Sequence, residues 1–490
     1  MQPGAHRQMT QPLTPDMTGL HLTFGLFLLV LLGIGAYFYR TTDTRRLADY
    51  MLAGRDVGVW PIAISEVASV ASGWTFFAWV GVGFTTGLHG LWFSLAMLLV
   101  VLFMYRYVGP PFRRTSQTLN SQTVVDHLAL TFHSTATGTA IRWVSTIAVV
   151  VFMISYVGAQ LIAVGEALDT ALELPYVAAV LTGGIAVAVY TTLGGFSASV
   201  WTDVVQGVLV LIAALLLPVA AIASVGGWSA FMAEATAIDP TLLSGTGGMG
   251  GGALVLALLA WFTFAMGAIG QPHALMRFQA IRSDTLISKA AVIALSFQAL
   301  RLTVPLFIGI AGRVLYGEGA EPESAAMLML ADLFPPWLAG VLLAGIIGAI
   351  LSTSDSMMIV ASADLTKLYR TQLRAHVSEG TLLRLGRLIV GVVAALGIGL
   401  ALWRPGTIFD IIEFAFVGLG VTVGLPLAAL MIWPRTTGPA VLATVAIGLI
   451  GTIGNLYLFP DLFPILVWPL ALAVLIGTSL LTRKPQARAA

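Results

Sequence analysis

The 490-residue chain has no cysteine. Disulfides, thiolate nucleophiles and cysteine-based metal sites are therefore excluded. Charge is also scarce: Asp, Glu, Lys and Arg make up 10% of the residues, against about 25% in a soluble globular chain. The net charge of +1 offers no electrostatic footprint for nucleic acid. The histidines are scattered without metal-ligand spacing, and no Gly-rich phosphate loop or supported nucleophile stands out. An enzyme is not expected, nor a bound cofactor. What the chain has instead is apolar mass: 58% of its residues are hydrophobic and the mean hydropathy is +0.93. A core of this length cannot absorb that excess without lipid around it, so the protein is read as integral to a membrane.

Runs long enough to span a bilayer, roughly 20 residues each, fall near 17–39, 58–84, 87–108, 138–167, 174–192, 197–224, 252–272, 285–314, 336–366, 383–403, 408–433, 438–458 and 463–482. The count is about thirteen. The first is too long for a signal-peptide core and reads as a true span. Basic residues cluster between alternate spans: Arg40, Arg45, Arg46 and Arg55; then Arg106, Arg113, Arg114 and Arg142; then Arg277, Arg282 and Lys289; then Lys367, Arg370, Arg374, Arg384 and Arg387. The positive-inside rule makes that side cytoplasmic. It predicts an extracytoplasmic tail at 1–16, one membrane domain at 17–482 and a cytoplasmic tail at 483–490, with the N-terminus outside.

Two spans are not plain helices. ISEVASVASGWTFFAWVGVG (64–83) is dense in small residues, and WFTFAMGAIGQPHALMRF (261–278) carries Gly267, Gly270 and Pro272, each of which weakens a helix. They lie five spans apart. Paired broken helices at corresponding positions are the mark of inverted-repeat transporters, which expose backbone groups to solute and ion near the midplane. Small residues also permit plain close packing of helices. A third span carries Ser352, Thr353, Ser354, Asp355 and Ser356 in one unbroken polar run.

Four stretches carry a resemblance. YTTLGGFSASVWTDVVQ (190–206), DYMLAGRDVGVWP (49–61), ILSTSDSMMIVASADLTKLYR (350–370) and GQPHALMRFQAIRS (270–283) stand in the order and on the spans of the sodium/solute symporter family, and the last is similar to its sodium/proline branch. The resemblance implies an all-α membrane protein with a LeuT-like five-plus-five inverted repeat. The core repeats would run from about 58 to 224 and 252 to 433, with one helix before and two after. It also implies sodium as the coupling ion, bound by the carbonyls of Ala68, Ala71 and Ala349 and the hydroxyls of Ser352 and Thr353. Oxygen donors suit a hard cation, although Ser and Thr in membrane helices also bond their own i−4 carbonyl. Some members hold a second sodium, which points here to Asp203, Ser352 and Ser356, with Asp355 where a relative has a hydroxyl. Asp355 is open to three readings: a second cation site, a protonated carboxylate, or a structural hydrogen bond.

For the solute, the family pattern points to Glu66, Ser69, Ser72 and Trp74 on the first broken span, and to Tyr156 and Gln160. It adds Trp261, Phe264, Gly267, Ala268 and Gln271 on the second broken span, with Phe414 and Phe416 as caps. Each aromatic has a plain alternative as packing or an interface anchor. The proline branch has an Asp where Val70 stands, a Trp at Phe264 and a Tyr at Ala268. A carboxylate has appeared one turn earlier, at Glu66, and an arginine mid-span at Arg301. Those two invite an ion pair, a contact from Arg301 to a solute carboxylate, or packing with a snorkelling head group. His273 reads as a loop hydrogen-bonder near the inner face.

The expectation is a sodium symporter in the plasma (inner) membrane that imports a small solute, proline or another small amino acid or carboxylate, by alternating access. Pantothenate, a monocarboxylate or sialic acid are the other solutes considered. A proton-coupled transporter of the same fold, titrating Asp355 or Glu66, is the rival. A transporter-like receptor and a membrane enzyme are the remaining classes. No nucleic acid and no obligate protein partner are expected; the partners are solute, sodium and lipid.

Overall fold

A computed structural model describes residues 18–41, 52, 55–133, 136–374, 377–458 and 465–482. Both expected tails and Arg45 and Arg46 lie outside the described residues. The fold is all-helical: α1 (Thr18–Thr41), α2 (Val59–Val70), α3 (Trp79–Thr86), α4 (Leu91–Phe103), α5 (Gly109–Thr118), α6 (Val124–Thr131), α7 (Ala136–Leu172), α8 (Tyr176–Ser224), α9 (Trp228–Ile238) and α10 (Gly251–Met266). There follow α11 (Pro272–Ala280), α12 (Ile287–Tyr316), α13 (Ala325–Leu333), α14 (Pro336–Leu368), α15 (Glu379–Trp403), α16 (Ile408–Leu419), α17 (Leu425–Ile432), α18 (Gly438–Leu458) and α19 (Val467–Leu481). Among the described residues the only pairing of extended backbone is a parallel bridge between Val57 and Ile281.

Among the described residues eleven helical stretches are long and apolar enough to cross a membrane, against the expectation of about thirteen. Val59–Val70 is cut short by the break after it, and Val467–Leu481 spans only 15 residues. Trp74–Thr118 runs parts of two expected spans together through a tight turn at Gly87–Gly90. The mapping is otherwise close, because lipid leaves a backbone few options besides helix.

α8 departs from the expected pair of spans in another way. Its 49 residues are helical throughout, and at 1.5 Å per residue a straight rod would be about 74 Å long, more than twice the bilayer core. It is not straight. Tyr190 donates to the carbonyl of Leu351 at 3.0 Å, while the Asp203 carboxylate accepts from the hydroxyl of the next residue, Ser352. On a straight helix those two positions would stand roughly 20 Å apart. The helix therefore departs from a straight rod between them, and its two apolar arms, Tyr176–Leu193 and Ser199–Ser224, correspond to the two expected spans.

α14 is the buried centre of the molecule. It packs against α7 and both arms of α8, with α1 and α15 alongside. Its start is set by Pro335–Pro336, where a missing N–H costs nothing. The two broken spans meet each other: α2 contacts α11, and Val57 N donates to Ala280 O while Arg282 N donates to Val57 O. The break at Gly267–Gly270 nests against Gly420–Gly424. A Cβ on Gly270 would lie 2.0 Å from the Leu419 carbonyl oxygen, so only glycine allows this approach. α16 begins with a capping box between Thr407 and Asp410.

Candidate functional site

The first broken span ends its helix at Val70, and the carbonyls it frees are met by other helices. Thr353 of α14 donates to the Ser69 carbonyl at 2.8 Å and is also within 3.1 Å of its own Ala349 carbonyl. Arg301 of α12 reaches the Val70 carbonyl at 3.4 Å. Gly73 N donates to Gln160 Oε1 at 2.8 Å, and Trp74 N to Ser72 Oγ at 3.1 Å. A Cβ on Gly73 would stand 2.5 Å from Ala163. The two helices expected to share the first sodium, α2 with Ala68 and Ala71 and α14 with Ala349, Ser352 and Thr353, are thus in hydrogen-bond contact. All five residues are buried.

The polar run on α14 divides by helical face. Ser354 bonds back to Ile350 at 2.8 Å and makes no other side-chain hydrogen bond among the described residues, the bland behaviour of a hydroxyl in a membrane helix. Ser352, Asp355 and Ser356 point at α8. Asp355 Oδ1 accepts from Ser199 at 2.8 Å and from Ser356 at 3.1 Å, while its Oδ2 has no hydrogen-bond partner among the described residues. Asp203 accepts from Ser352 through one oxygen, and from Ser65 and Arg277 through the other, at 2.5 and 2.8 Å. Asp203, Ser352, Asp355 and Ser356 are therefore brought together, with a guanidinium among them. Arg277 also donates to Ser356 at 3.1 Å and to Ser65 at 3.0 Å.

Arg277 corrects the reading by which it was counted as a loop charge. It is 1% exposed, on α11, and its ion pair with Asp203 is sealed from water. Arg113 and Arg142 are likewise buried. His273 is not a loop residue either; it is buried on α11, its ring edge-on to Tyr156 with centroids 6.3 Å apart.

Two cavities lie between the broken spans. One is lined by Trp74, Phe93, Tyr156, Phe264, Phe416 and Arg301. The other is lined by Glu66, Tyr105, Ala268, Gln271 and Gln298. Val70 and Met97 border both. Of the expected solute residues, Trp74, Tyr156, Phe264 and Phe416 line the first cavity and Glu66, Ala268 and Gln271 the second. Others do not. Phe414 turns away and packs on Phe152 at 5.2 Å. Trp261 stands behind the wall, edge-on to Trp79 at 5.7 Å and Phe93 at 5.9 Å. Ser69, Ser72 and Gln160 stabilise the break instead, and Gly267 gives its carbonyl to Gln271 at 2.8 Å. Phe93, Met97, Tyr105 and Ser199 were missed, since nothing in an apolar run or a lone serine marks which face it presents.

Groups outside the spans tie both ends. On one side Asp126, 2% exposed, pairs with Arg142 at 2.9 Å and Lys367 at 3.7 Å, joining α6 and α7 to the end of α14. Beside it the His127 imidazole is pushed down to about 4 by burial. On the other side Glu323 accepts from the N-terminal amides of α16, Ile408 at 3.4 Å and Phe409 at 3.2 Å. Burial pushes its carboxyl up to about 7 against the pull of those amides.

Residues 50–448 match the family model described as the sodium:solute symporter family. The chain belongs to this family. The symporter is 31% identical over 422 residues to the high-affinity proline transporter PutP of Bacillus subtilis, covering 85% of this chain and 87% of that one. It is 30% identical to a sodium/proline symporter of Staphylococcus aureus, covering 85% and 82%. In three dimensions it resembles an outward-open Na+-coupled sialic acid symporter with a TM-score of 0.80 at 18% identity, over 96% of this chain and 99% of that one. MhsT, solved with L-phenylalanine, gives 0.53 at 14% identity, covering 86% and 99%. These structures are similar in fold. It is a multi-pass membrane protein and a sodium-coupled solute symporter.

Proposed function

We propose that this symporter imports proline or another small amino acid across the plasma membrane, drawing on sodium and alternating access, with its N-terminus outside. The observation that carries the reading is the Thr353 hydroxyl on the Ser69 carbonyl. It joins the hydroxyl-rich helix to the break in α2, where a dehydrating sodium ion would find carbonyl and hydroxyl oxygens. The ligands are Ala68, Ala71 and Ala349 through their carbonyls and Ser352 and Thr353 through their hydroxyls. The curated relatives named for proline make that solute the first to test.

One sodium suffices energetically. A positive charge crossing 100 mV releases about 2.3 kcal/mol and a tenfold gradient adds about 1.4, so one ion supports roughly 500-fold accumulation of a neutral solute. A second reading rests on Asp355, whose Oδ2 has no hydrogen-bond partner among the described residues. That oxygen favours a further cation or a proton at Asp203, Asp355, Ser352 and Ser356, and with it proton coupling. Uptake of labelled proline, other small amino acids, pantothenate, a monocarboxylate and sialic acid into proteoliposomes tests both readings. Uptake driven by a sodium gradient at constant pH is expected. Uptake driven only by a pH step would move coupling to Asp355.

A further inference from the structure

Arg301 and Glu66 are buried ionisable groups that form no ion pair among the described residues, a condition they share with Asp355. Asp203 has Arg277, and Asp126 has Arg142 and Lys367. Arg301, 5% exposed, gives Nε to Gln298 at 3.1 Å and Nη1 to Thr75 at 3.2 Å, both neutral, and its Nη2 has no hydrogen-bond partner among the described residues. Its guanidinium lies 5.7 Å from the Trp74 ring, at the edge of the aromatic cavity. Glu66, 7% exposed, has an unbonded Oε2 in the adjoining cavity, where Gln271 also has an unbonded Oε1. The two charges act on each other electrostatically, yet they form no ion pair.

An ion held at this depth without a counter-ion or a full set of hydrogen bonds is strongly disfavoured. The arrangement is therefore half of something. Arg301 lines one chamber, Glu66 the next, and Val70 and Met97 border both. Glu66 and Val70 sit one turn apart on the same face of α2, and Arg301 touches the Val70 carbonyl. Val70 and Met97 thus border the cavities of both groups.

We propose that the chambers together bind a zwitterion lying across Val70, its carboxylate on Arg301 Nη2 and its ammonium on Glu66 and Gln271. The apolar part of the solute rests on Trp74 and Phe264. Arg301 and Glu66 then set specificity, and a carboxylic acid or an amine alone satisfies only one of them. This rests on the symport reading and narrows its solute.

The unmodified protein tests the idea first. Equilibrium binding to detergent-solubilised full-length chain, read by tryptophan fluorescence in saturating sodium, is compared for L-proline and L-alanine against cyclopentanecarboxylate, propionate and pyrrolidine. Sodium-driven uptake into proteoliposomes is measured in parallel. The expected result is binding of at least one amino acid at least 100-fold tighter than its acid-only and amine-only analogues. Arg301→Gln should raise KM for that amino acid by 100-fold or more, with Arg301→Lys recovering part of the loss. Glu66→Gln should raise it tenfold or more while leaving inhibition by cyclopentanecarboxylate unchanged. Equal binding of the acid-only analogue would overturn the zwitterion, as would variants that lower Vmax for every solute at unchanged KM. Such a result with sodium-driven uptake intact would leave the symport reading standing. Amino-acid binding without sodium-driven uptake would sink the symport reading and keep the zwitterion site.

Discussion

Replacing Arg277 with glutamine tests whether Asp203 already has a resident cation. The guanidinium supplies Asp203 with its only ion pair among the described residues, at 2.8 Å, and adds hydrogen bonds to Ser65 and Ser356 at 3.0 and 3.1 Å. After Arg277→Gln the carboxylate keeps two hydroxyl donors, Ser65 and Ser352, but stays buried and uncompensated. Breaking one side of such a pair costs about 3–5 kcal/mol. Adding Asp203→Asn removes the stranded charge, so the double variant should lose only the neutral hydrogen bonds, about 1–3 kcal/mol in all. Part of the cost of Arg277→Gln is therefore recovered on adding a second substitution, which is the coupling the cycle measures. Reversible unfolding in mixed micelles, with choline in place of sodium, reads it. A recovery of about 2 kcal/mol corresponds to roughly 30-fold in the equilibrium constant. Sodium should stabilise Arg277→Gln, whose Asp203 oxygens face a lost cation, and should do less for the double variant. A double variant whose loss is the plain sum of the two singles would refute the reasoning, because the two groups would then not be partners.

Three further outcomes follow from the same geometry. Thr353→Ala removes one sodium oxygen and the bond to Ser69; the sodium needed for half-maximal uptake should rise about 10- to 100-fold, on the scale of one charge-assisted bond, with solute KM at saturating sodium changing far less. An equal loss in both would point to a damaged fold. Gly270→Ala drives a methyl to 2.0 Å from the Leu419 carbonyl, whereas Gly25→Ala meets nothing within 4 Å. Overpacking of this kind costs at least about 1–3 kcal/mol, so the first should lose thermal stability and uptake and the second neither. The Glu323 carboxyl is raised to about 7, so the native state holds its proton more tightly than the unfolded chain, and stability from this group falls as pH rises from about 4.5 to 7. Glu323→Gln should remove that slope, visible as a Tm difference from the parent that grows in the variant's favour across the window; a difference flat with pH would place the slope elsewhere.

The positions of the two breaks were legible because their causes are local. Small residues before Trp74, and Gly267, Gly270 and Pro272 in the second span, weaken a helix wherever it packs. The polar run at 352–356 was legible because hydroxyls and a carboxylate stand out in lipid. Faces were harder. Phe414 and Phe416 are two apart, about 200° around a helix, so both cannot cap one pocket, and their chemistry is identical. Ser354 was indistinguishable from Ser352 for the same reason. Arg277 was misread because a cation shortly after a span looks like a loop charge; the helix that carries it inward begins only at Pro272.

By itself the sequence determined that this chain lives in lipid, where its helices run, where two of them break, and which family it resembles. Each follows from composition and near-neighbour chemistry. The tertiary structure decided which polar groups meet. Asp203 finds Arg277 across 74 residues of chain, and Thr353 finds Ser69 across 284. In a bilayer every buried donor and charge needs a partner. Which partner it gets depends on how each helix is rotated against its neighbours, and only the packing of the whole bundle sets that rotation.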